Sequence, residues 1–173
     1  YVYDIEKGSQ VECILAETGN KEYQFTDVSI CEDGSKIAIG TEKRLIVYDI
    51  ESKQLQTIAN VPIGKVVWTD NSHVACMSYQ IQQEYFASSD PWSREKRQYA
   101  IEVYDITNQG NAETENEKTT ADAVMTDLAF DTDTMGLKVI HRNVTDENGN
   151  TETKTALLGW MRSNLYFIDA ETG

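Results

Sequence analysis

The chain has 173 residues, of which 40% are hydrophobic and 25% are charged. These values suit one folded domain and exclude wholesale disorder, and no run approaches the roughly 18 apolar residues that a membrane-spanning helix needs. The net charge of −14 argues against contact with nucleic acid or an anionic membrane surface, because both favour a basic face. The negative charge either keeps the protein soluble or steers a cationic partner towards it.

A short phrase recurs four times and predicts the organisation of the chain. Each copy is an apolar, strand-like run that leads into a polar turn, and the copies end at Asp4, Asp49, Asp105 and Asp169. Successive aspartates are 45, 56 and 64 residues apart, whereas one propeller blade of four strands takes about 40–50 residues. We therefore predict an all-β fold of four-stranded antiparallel meanders, with insertions in the later units.

The four aspartates themselves have a predicted structural role. A carboxylate that follows a strand can accept hydrogen bonds from the exposed N–H groups of the turn. Because an aspartate occurs at this place in every unit, the pattern favours turn formation over catalysis, which would need one unit to differ from the others.

The clearest unit spans residues 25–59. It alternates between strand-like runs and turns, and the predicted strands are 25–31, 36–41, 45–50 and 54–59. The third run is apolar on both faces, so we expect it to be covered on both faces. The fourth is more polar and is expected to form an edge strand near solvent.

The second unit spans residues 64–118 and carries an insertion. Its predicted strands are 64–69, 73–79 and 99–106, and residues 80–98 are predicted to be an insertion in the hairpin between the last two. An acidic loop is predicted at 110–120.

The last unit spans residues 121–173. Strands are predicted at 123–130, 137–140, 156–160 and 165–170, with the turn at 146–150 forming the tip of an extended hairpin. No segment is predicted to be helical. Together with blade remnants in residues 1–20, about 13 strands are expected, or a little over three blades. Because propellers usually close with 4–8 blades, we expect the chain to be an incomplete ring, with the rest of the propeller in the same longer chain.

Residues 25–59 resemble one blade of a WD40-type propeller. Three features stand where that family has its "PDG" turn, its Gly-Ser pair and its Trp-Asp dipeptide, namely Asp33-Gly34, Gly40-Thr41 and Tyr48-Asp49. The chain has no Gly-His pair and uses Tyr-Asp or Ile-Asp, so it is more similar to the divergent propellers grouped as WD40-like, YVTN-like or TolB-like. The resemblance implies a propeller fold and a binding platform.

The predicted insertion at 80–98 holds the candidate partner-binding residues. These are Tyr85, Phe86, Trp92, Arg94 and Arg97. Tyr, Trp and Arg are the residue types most often found as interface hot spots, and long loops on rigid scaffolds often carry function. The alternative is that the aromatic residues fold back and cover a neighbouring blade.

The sequence lacks the patterns of the common catalytic and metal sites. It has no nucleophile elbow, no glycine-rich phosphate loop and no metal-ligand spacing of His or Cys. Two acidic segments, 131–133 and 146–150, contain oxygen ligands of the kind that calcium prefers, but turn chemistry explains both. We therefore predict no enzymatic activity, no metal and no cofactor.

The three cysteines, Cys13, Cys31 and Cys76, are far apart in the sequence. They are predicted to be buried, reduced thiols, which favours a reducing compartment such as the cytoplasm. An extracellular domain of a membrane-anchored bacterial protein would show the same pattern.

Three functions are compatible with these patterns. The first is a non-catalytic platform that binds a protein or a small ligand. The second is the accessory propeller of a larger enzyme such as a peptidase. The third is an extracellular sensor domain tethered to a membrane.

Overall fold

The computed structural model describes residues 2–4, 9–12, 24–84, 94–107, 118–127, 135–161 and 164–170. Within these ranges the fold is all-β, with 13 strands and no helix. The strands form separate antiparallel sheets of two, four, four and three strands, which we call sheets I to IV in chain order. In this part of the chain no helix is long and apolar enough to cross a membrane.

Sheets I and II follow the predicted meander. Sheet I pairs β1 (Val2–Asp4) with β2 (Ser9–Glu12). In sheet II neighbouring strands follow one another along the chain. The strands are β3 (Phe25–Ile30), β4 (Lys36–Thr41), β5 (Leu45–Asp49) and β6 (Leu55–Ala59). The four-stranded antiparallel meander predicted for residues 25–59 is therefore confirmed.

Sheet III differs from the prediction in two places. Its strands are β7 (Ile63–Trp68), β8 (His73–Glu84), β9 (Arg94–Asp105) and β10 (Lys118–Asp127). First, β8 and β9 stay paired as far as Glu84 and Arg94, so both ends of the predicted insertion are strand. Second, β10 pairs with β9 and completes sheet III, whereas the sequence placed its apolar part at the start of the last unit.

Sheet IV contains the longest hairpin whose turn is described. It consists of β11 (Met135–Thr145), β12 (Thr151–Met161) and β13 (Asn164–Asp169). The first two strands pair along their whole length, and β13 pairs only with residues 156–161. Residues 141–155 therefore extend beyond β13 as a two-stranded ribbon, and the predicted turn at 146–150 forms its tip.

Sheet III has an apolar core on each face. Alternate residues of its strands point to opposite faces. One set, including Val66, Trp68 and Cys76, packs with Ala38 and Leu45 of sheet II. The other set, which contains Ala75, Met77, Tyr99 and Ile101, packs with Leu157 and Ile168 of sheet IV. Sheet III is therefore the middle layer of three.

The burial of sheet II agrees with the predicted difference between its strands. Residues Leu45 to Tyr48 of β5 are buried, whereas Leu55 of the edge strand β6 is 44% exposed. A third apolar cluster, formed by Ile37, Ile39, Ile46 and Tyr48, lies on the face of sheet II that is turned away from sheet III. The central strands are thus covered on both faces, as a strand that is apolar on both sides requires.

The first strands of sheets II, III and IV lie side by side. Strand β3 contacts β7, and β7 contacts β11. At the other side of the sheets, β10 contacts β13. The sheets do not close into a ring within the described ranges. This stacking brings the ends of β3 and β7 beside the middle of β11, and a cleft lies where they meet.

Candidate functional site

A cleft of about 200 Å³ opens between the first strands of the three stacked sheets. Each of β3, β7 and β11, or the turn that follows it, contributes to the lining, which includes Ser29, Glu32, Trp68, Asp70, Val139 and His141. These residues are far apart in the sequence. Only the stacking of sheets II, III and IV brings them together.

Two hydrogen bonds between sheets fix the geometry of this cleft. The indole Nε1 of Trp68 donates to the carbonyl oxygen of Ser29 at 3.0 Å. The backbone N–H of Val66 donates to Oδ2 of Asp27 at 3.0 Å. Because an indole has one N–H and no acceptor, this bond leaves Trp68 as an apolar wall. Its side chain is buried, so the wall is rigid.

The carboxylate of Asp70 is held in the turn between β7 and β8. It accepts hydrogen bonds from the N–H of Ser72 at 2.6 Å and of His73 at 2.9 Å, and Nδ1 of His73 lies 2.9 Å from Oδ2. Burial raises the pKa of Asp70, but these hydrogen bonds outweigh it and hold the pKa below its ordinary value. The side chain is therefore anionic at neutral pH.

Asp70, Ser72 and His73 do not have the arrangement of a catalytic triad. The hydroxyl oxygen of Ser72 lies 3.4 Å from Nδ1 of His73, the same ring nitrogen that the carboxylate of Asp70 contacts. In a triad the nucleophile and the carboxylate contact opposite nitrogens of the imidazole. Here the hydroxyl donates to Asp70 at 2.8 Å, so the three side chains stabilise a turn.

Two further polar side chains of the cleft are those of Glu32 and His141. Both residues are exposed. Nδ1 of His141 lies 3.3 Å from the hydroxyl oxygen of Thr155 on the neighbouring strand. Among the described residues, no group of three His, Cys, Asp or Glu side chains is arranged to hold a metal ion. The cleft thus presents carboxylates and an imidazole beside an indole wall.

The predicted partner-binding residues fall into two groups. Tyr85, Phe86 and Trp92 lie outside the described residues. Arg94 and Arg97 lie in β9, where Arg94 is opposite Glu84 and Arg97 is opposite Ile81. The prediction that the two arginines belong to a loop is wrong, because the hairpin continues to pair beyond its apolar part.

The aspartates that recur in the sequence stand at the ends of strands. Asp49 accepts hydrogen bonds from the N–H and the hydroxyl of Ser52 at 2.8 and 2.9 Å. Asp105 accepts from the N–H and the hydroxyl of Thr107 at 2.8 and 2.6 Å. These bonds lower the pKa of both carboxyl groups. Asp4 and Asp169 are likewise the last residues of β1 and β13.

A second series of aspartates occupies the turns between first and second strands. Asp33, Asp70 and Asp146 each accept a hydrogen bond from the N–H two residues later, at 2.8, 2.6 and 2.9 Å. The thiol of Cys31, which donates at 2.9 Å, and the N–H of Ser35 lower the pKa of Asp33 to about 2. Hydrogen bonds from Asn150 and Asn148 also lower the pKa of Asp146. These aspartates stabilise the turns at one end of sheets II, III and IV, which is the end at which the cleft opens.

The cleft residues carry no sequence pattern that singles them out as a site. Their common feature is position, because they stand on or just after the first strands of successive units, at the ends of β3 and β7 and in the middle of β11. Aligning the units on their first strands, rather than on the recurring aspartates, is the signal that would have found them. No family model and no curated protein matches the chain, so its function must be inferred from geometry and chemistry.

Proposed function

We propose that sheets II, III and IV are blades of a β-propeller and that the protein is a non-catalytic platform whose cleft binds a partner. The observation that carries this proposal is the meeting of β3, β7 and β11 around one cleft. In a propeller the sheets are arranged radially around a central channel. A cleft between the first strands is therefore the place where a ligand would contact several blades at once.

The chemistry of the cleft supports binding rather than catalysis. The carboxylate of Asp70 accepts hydrogen bonds from the backbone N–H and the hydroxyl of Ser72 in its own turn. A nucleophile needs a base within reach that accepts its proton. The imidazole beside this hydroxyl contacts it through the nitrogen that faces Asp70. The turn therefore holds its side chains in place and offers no activated group.

The charges favour a cationic partner. Glu32 and Asp70 lie at the cleft, and the chain carries a net charge of −14, which attracts cations over distances of about 10 Å at moderate salt. Trp68 supplies an apolar wall beside them. A lysine or arginine side chain of a partner protein fits this combination, because its stem is apolar and its head is charged.

Titration with a short Arg-Gly peptide, followed by amide chemical shifts, tests this proposal. The largest shifts are expected at Glu32, Asp70 and His141. Replacing Glu32 by Gln should weaken binding by about two- to fivefold, since an exposed ion pair contributes roughly 0.2–1 kcal/mol. The matched control is Glu42→Gln, because Glu42 is also exposed but follows the opposite end of β4. Equal affinity for the two variants, or shifts spread evenly over the surface, would refute binding at the cleft.

A further inference from the structure

The turn at the tip of the ribbon contains a chemically labile pair of residues. Asn148-Gly149 is the single Asn-Gly pair in the sequence, and both residues are exposed. The side-chain amide carbon of an asparagine is an electrophile, and the backbone nitrogen of the next residue can attack it to close a five-membered ring. Glycine presents the least hindered nitrogen, because its Cα carries no side chain. The pair therefore holds an electrophile and a nucleophile within one exposed turn.

The surroundings of Gly149 leave room for this attack. Its φ is +85°, in the left-handed region that favours glycine, and a Cβ at this position would meet no atom within 4 Å. The space beside its Cα is therefore open in the described structure. Packing of neighbouring side chains does not hinder the approach of its nitrogen to the amide carbon of Asn148.

Asp146 opposes the reaction by fixing the backbone on both sides of the bond that must rotate. Its carboxylate oxygen Oδ1 accepts the N–H of Asn148 at 2.9 Å, and its backbone carbonyl accepts the N–H of Gly149 at 3.1 Å. Ring closure requires rotation about the Cα–C bond of Asn148, which lies between these two N–H groups, and it requires release of the Gly149 proton. The two hydrogen bonds therefore oppose ring closure.

The same aspartate also closes the turn from its other end. Oδ1 accepts the backbone N–H of Asn150 at 2.8 Å, and Oδ2 accepts its side-chain Nδ2 at 2.9 Å. The N–H of Asp146 donates to the carbonyl oxygen of Asn150 at 2.9 Å. The bonds from Asn150 and Asn148 lower the pKa of Asp146, so its carboxylate is anionic at neutral pH. The conformation of the turn thus depends on one side chain.

We propose that Asn148-Gly149 is a site of succinimide formation and that Asp146 restrains its rate. The backbone nitrogen of Gly149 bonds to Cγ of Asn148, the bond between Cγ and Nδ2 breaks, and the amide leaves as ammonia with the proton that Gly149 loses. Water then opens the ring at either of its two carbonyl carbons and gives aspartate or isoaspartate. The net change is uptake of water and release of ammonia, without oxidation or reduction.

Either product alters the tip of the ribbon. Both place a new carboxylate beside Asp146 and Glu147 in a chain of net charge −14, and like charges this close repel each other. In isoaspartate the main chain also runs through the former side chain, which adds a carbon to the turn. The hydrogen bond from Asp146 to Asn150 and the pairing of Thr145 with Thr151 suit the original length. The modification therefore loosens the tip, and it does not depend on binding at the cleft.

The test is incubation of the full chain at mildly alkaline pH, followed by proteolysis and mass spectrometry of the peptide that contains Asn148. The folded native chain should lose the amide of Asn148 measurably, and unfolding in urea should accelerate this loss. Asp146→Ala should accelerate it in the folded chain by about three- to tenfold, since a hydrogen bond to a charged group contributes roughly such a factor. Asp146→Asn keeps a carbonyl oxygen as acceptor and should change the rate less.

Two controls separate this chemistry from a general loosening of the fold. Gly149→Ala places a methyl group beside the attacking nitrogen and should nearly abolish the loss, although it strains the turn. Glu147→Gln removes a charge next to Asn148 but leaves the hydrogen bonds of Asp146 in place, so the rate should be nearly unchanged. Circular dichroism checks that each variant is folded during the incubation. An intact amide in the folded native chain, equal rates in urea and in the folded chain, or a native rate in Asp146→Ala would each overturn the proposal.

Discussion

The carboxylate of Asp27 in β3 accepts a hydrogen bond from the backbone N–H of Val66 in β7, over 3.0 Å. The N–H of Thr69 donates to His73 of β8, so by alternation along the strand the N–H of Val66 points away from β8. Asp27 therefore satisfies a donor on the open edge of sheet III. One polar side chain of sheet II thus ties the two sheets together and protects an edge strand.

Replacing Asp27 by Ala should lower the free energy of unfolding by about 1–3 kcal/mol. The substitution leaves the N–H of Val66 without its acceptor in a partly buried position, and an unsatisfied donor costs about that amount. Asp27→Asn keeps a carbonyl oxygen at the same place and should cost less. Urea denaturation followed by circular dichroism measures both values. The interpretation fails if the two variants are equally stable.

The hydrogen bond from Trp68 to Ser29 gives a second prediction. Trp68→Phe retains most of the buried aromatic surface but leaves the carbonyl oxygen of Ser29 without this donor, so a loss of about 1–2 kcal/mol is expected. Trp68→Ala removes the packing as well and should cost about 3–5 kcal/mol. Thermal unfolding of the two variants separates the contribution of the hydrogen bond from that of the packing. A Phe variant as unstable as the Ala variant would contradict this division.

Local patterns in the sequence predicted the strands of sheet II almost residue by residue. The reason is that β4 and β5 alternate with short turns such as the one at Asp33 and Gly34, where only nearby residues decide the structure. The same patterns could not assign β10 to sheet III. A short apolar run forms a strand in either sheet, and its partner depends on tertiary packing rather than on its own sequence.

The cleft could not be predicted for a related reason. Its residues include Ser29, Trp68 and His141, each of which is unremarkable within its own unit. Their proximity depends on the rotation and spacing between sheets, which come from the packing of buried side chains such as Ile63 and Met77. Sequence periodicity fixes which face of a strand is apolar but not which sheet covers it.

The contact between Gly136 and Trp160 predicts a sensitive position in sheet IV. The two residues are opposite each other in β11 and β12, and a methyl group on Gly136 would overlap the indole ring of Trp160. Gly136→Ala should therefore displace the ring and cost about 1–3 kcal/mol. Tryptophan fluorescence should shift along with the melting temperature.

Gly149 offers the matched control for this substitution. It has a φ of +85° in the turn of the same hairpin, and a Cβ there would meet no atom within 4 Å. Gly149→Ala should cost about 1 kcal/mol through backbone strain, without a change in fluorescence. A fluorescence change in both variants, or in neither, would show that the indole ring does not depend on Gly136.

Acidification should destabilise the turn at Asp33. The hydrogen bonds from Cys31 and Ser35 lower the pKa of this carboxyl group from 3.8 to about 2 in the folded protein. Because the folded pKa lies below the unfolded one, the charged carboxylate stabilises the fold at every pH above about 4, and this stabilisation is lost as the pH falls towards 2. Asp33→Asn keeps a side-chain acceptor but removes the titration, so its stability relative to the native chain should be lowest at neutral pH and should approach the native value near pH 2.

Melting temperatures at intervals between pH 7 and pH 2 measure this convergence, and Glu32→Gln, which alters an exposed neighbour of the same turn, serves as the control. A difference between the native chain and Asp33→Asn that stays constant down to pH 2 would mean that the carboxylate contributes nothing through its charge.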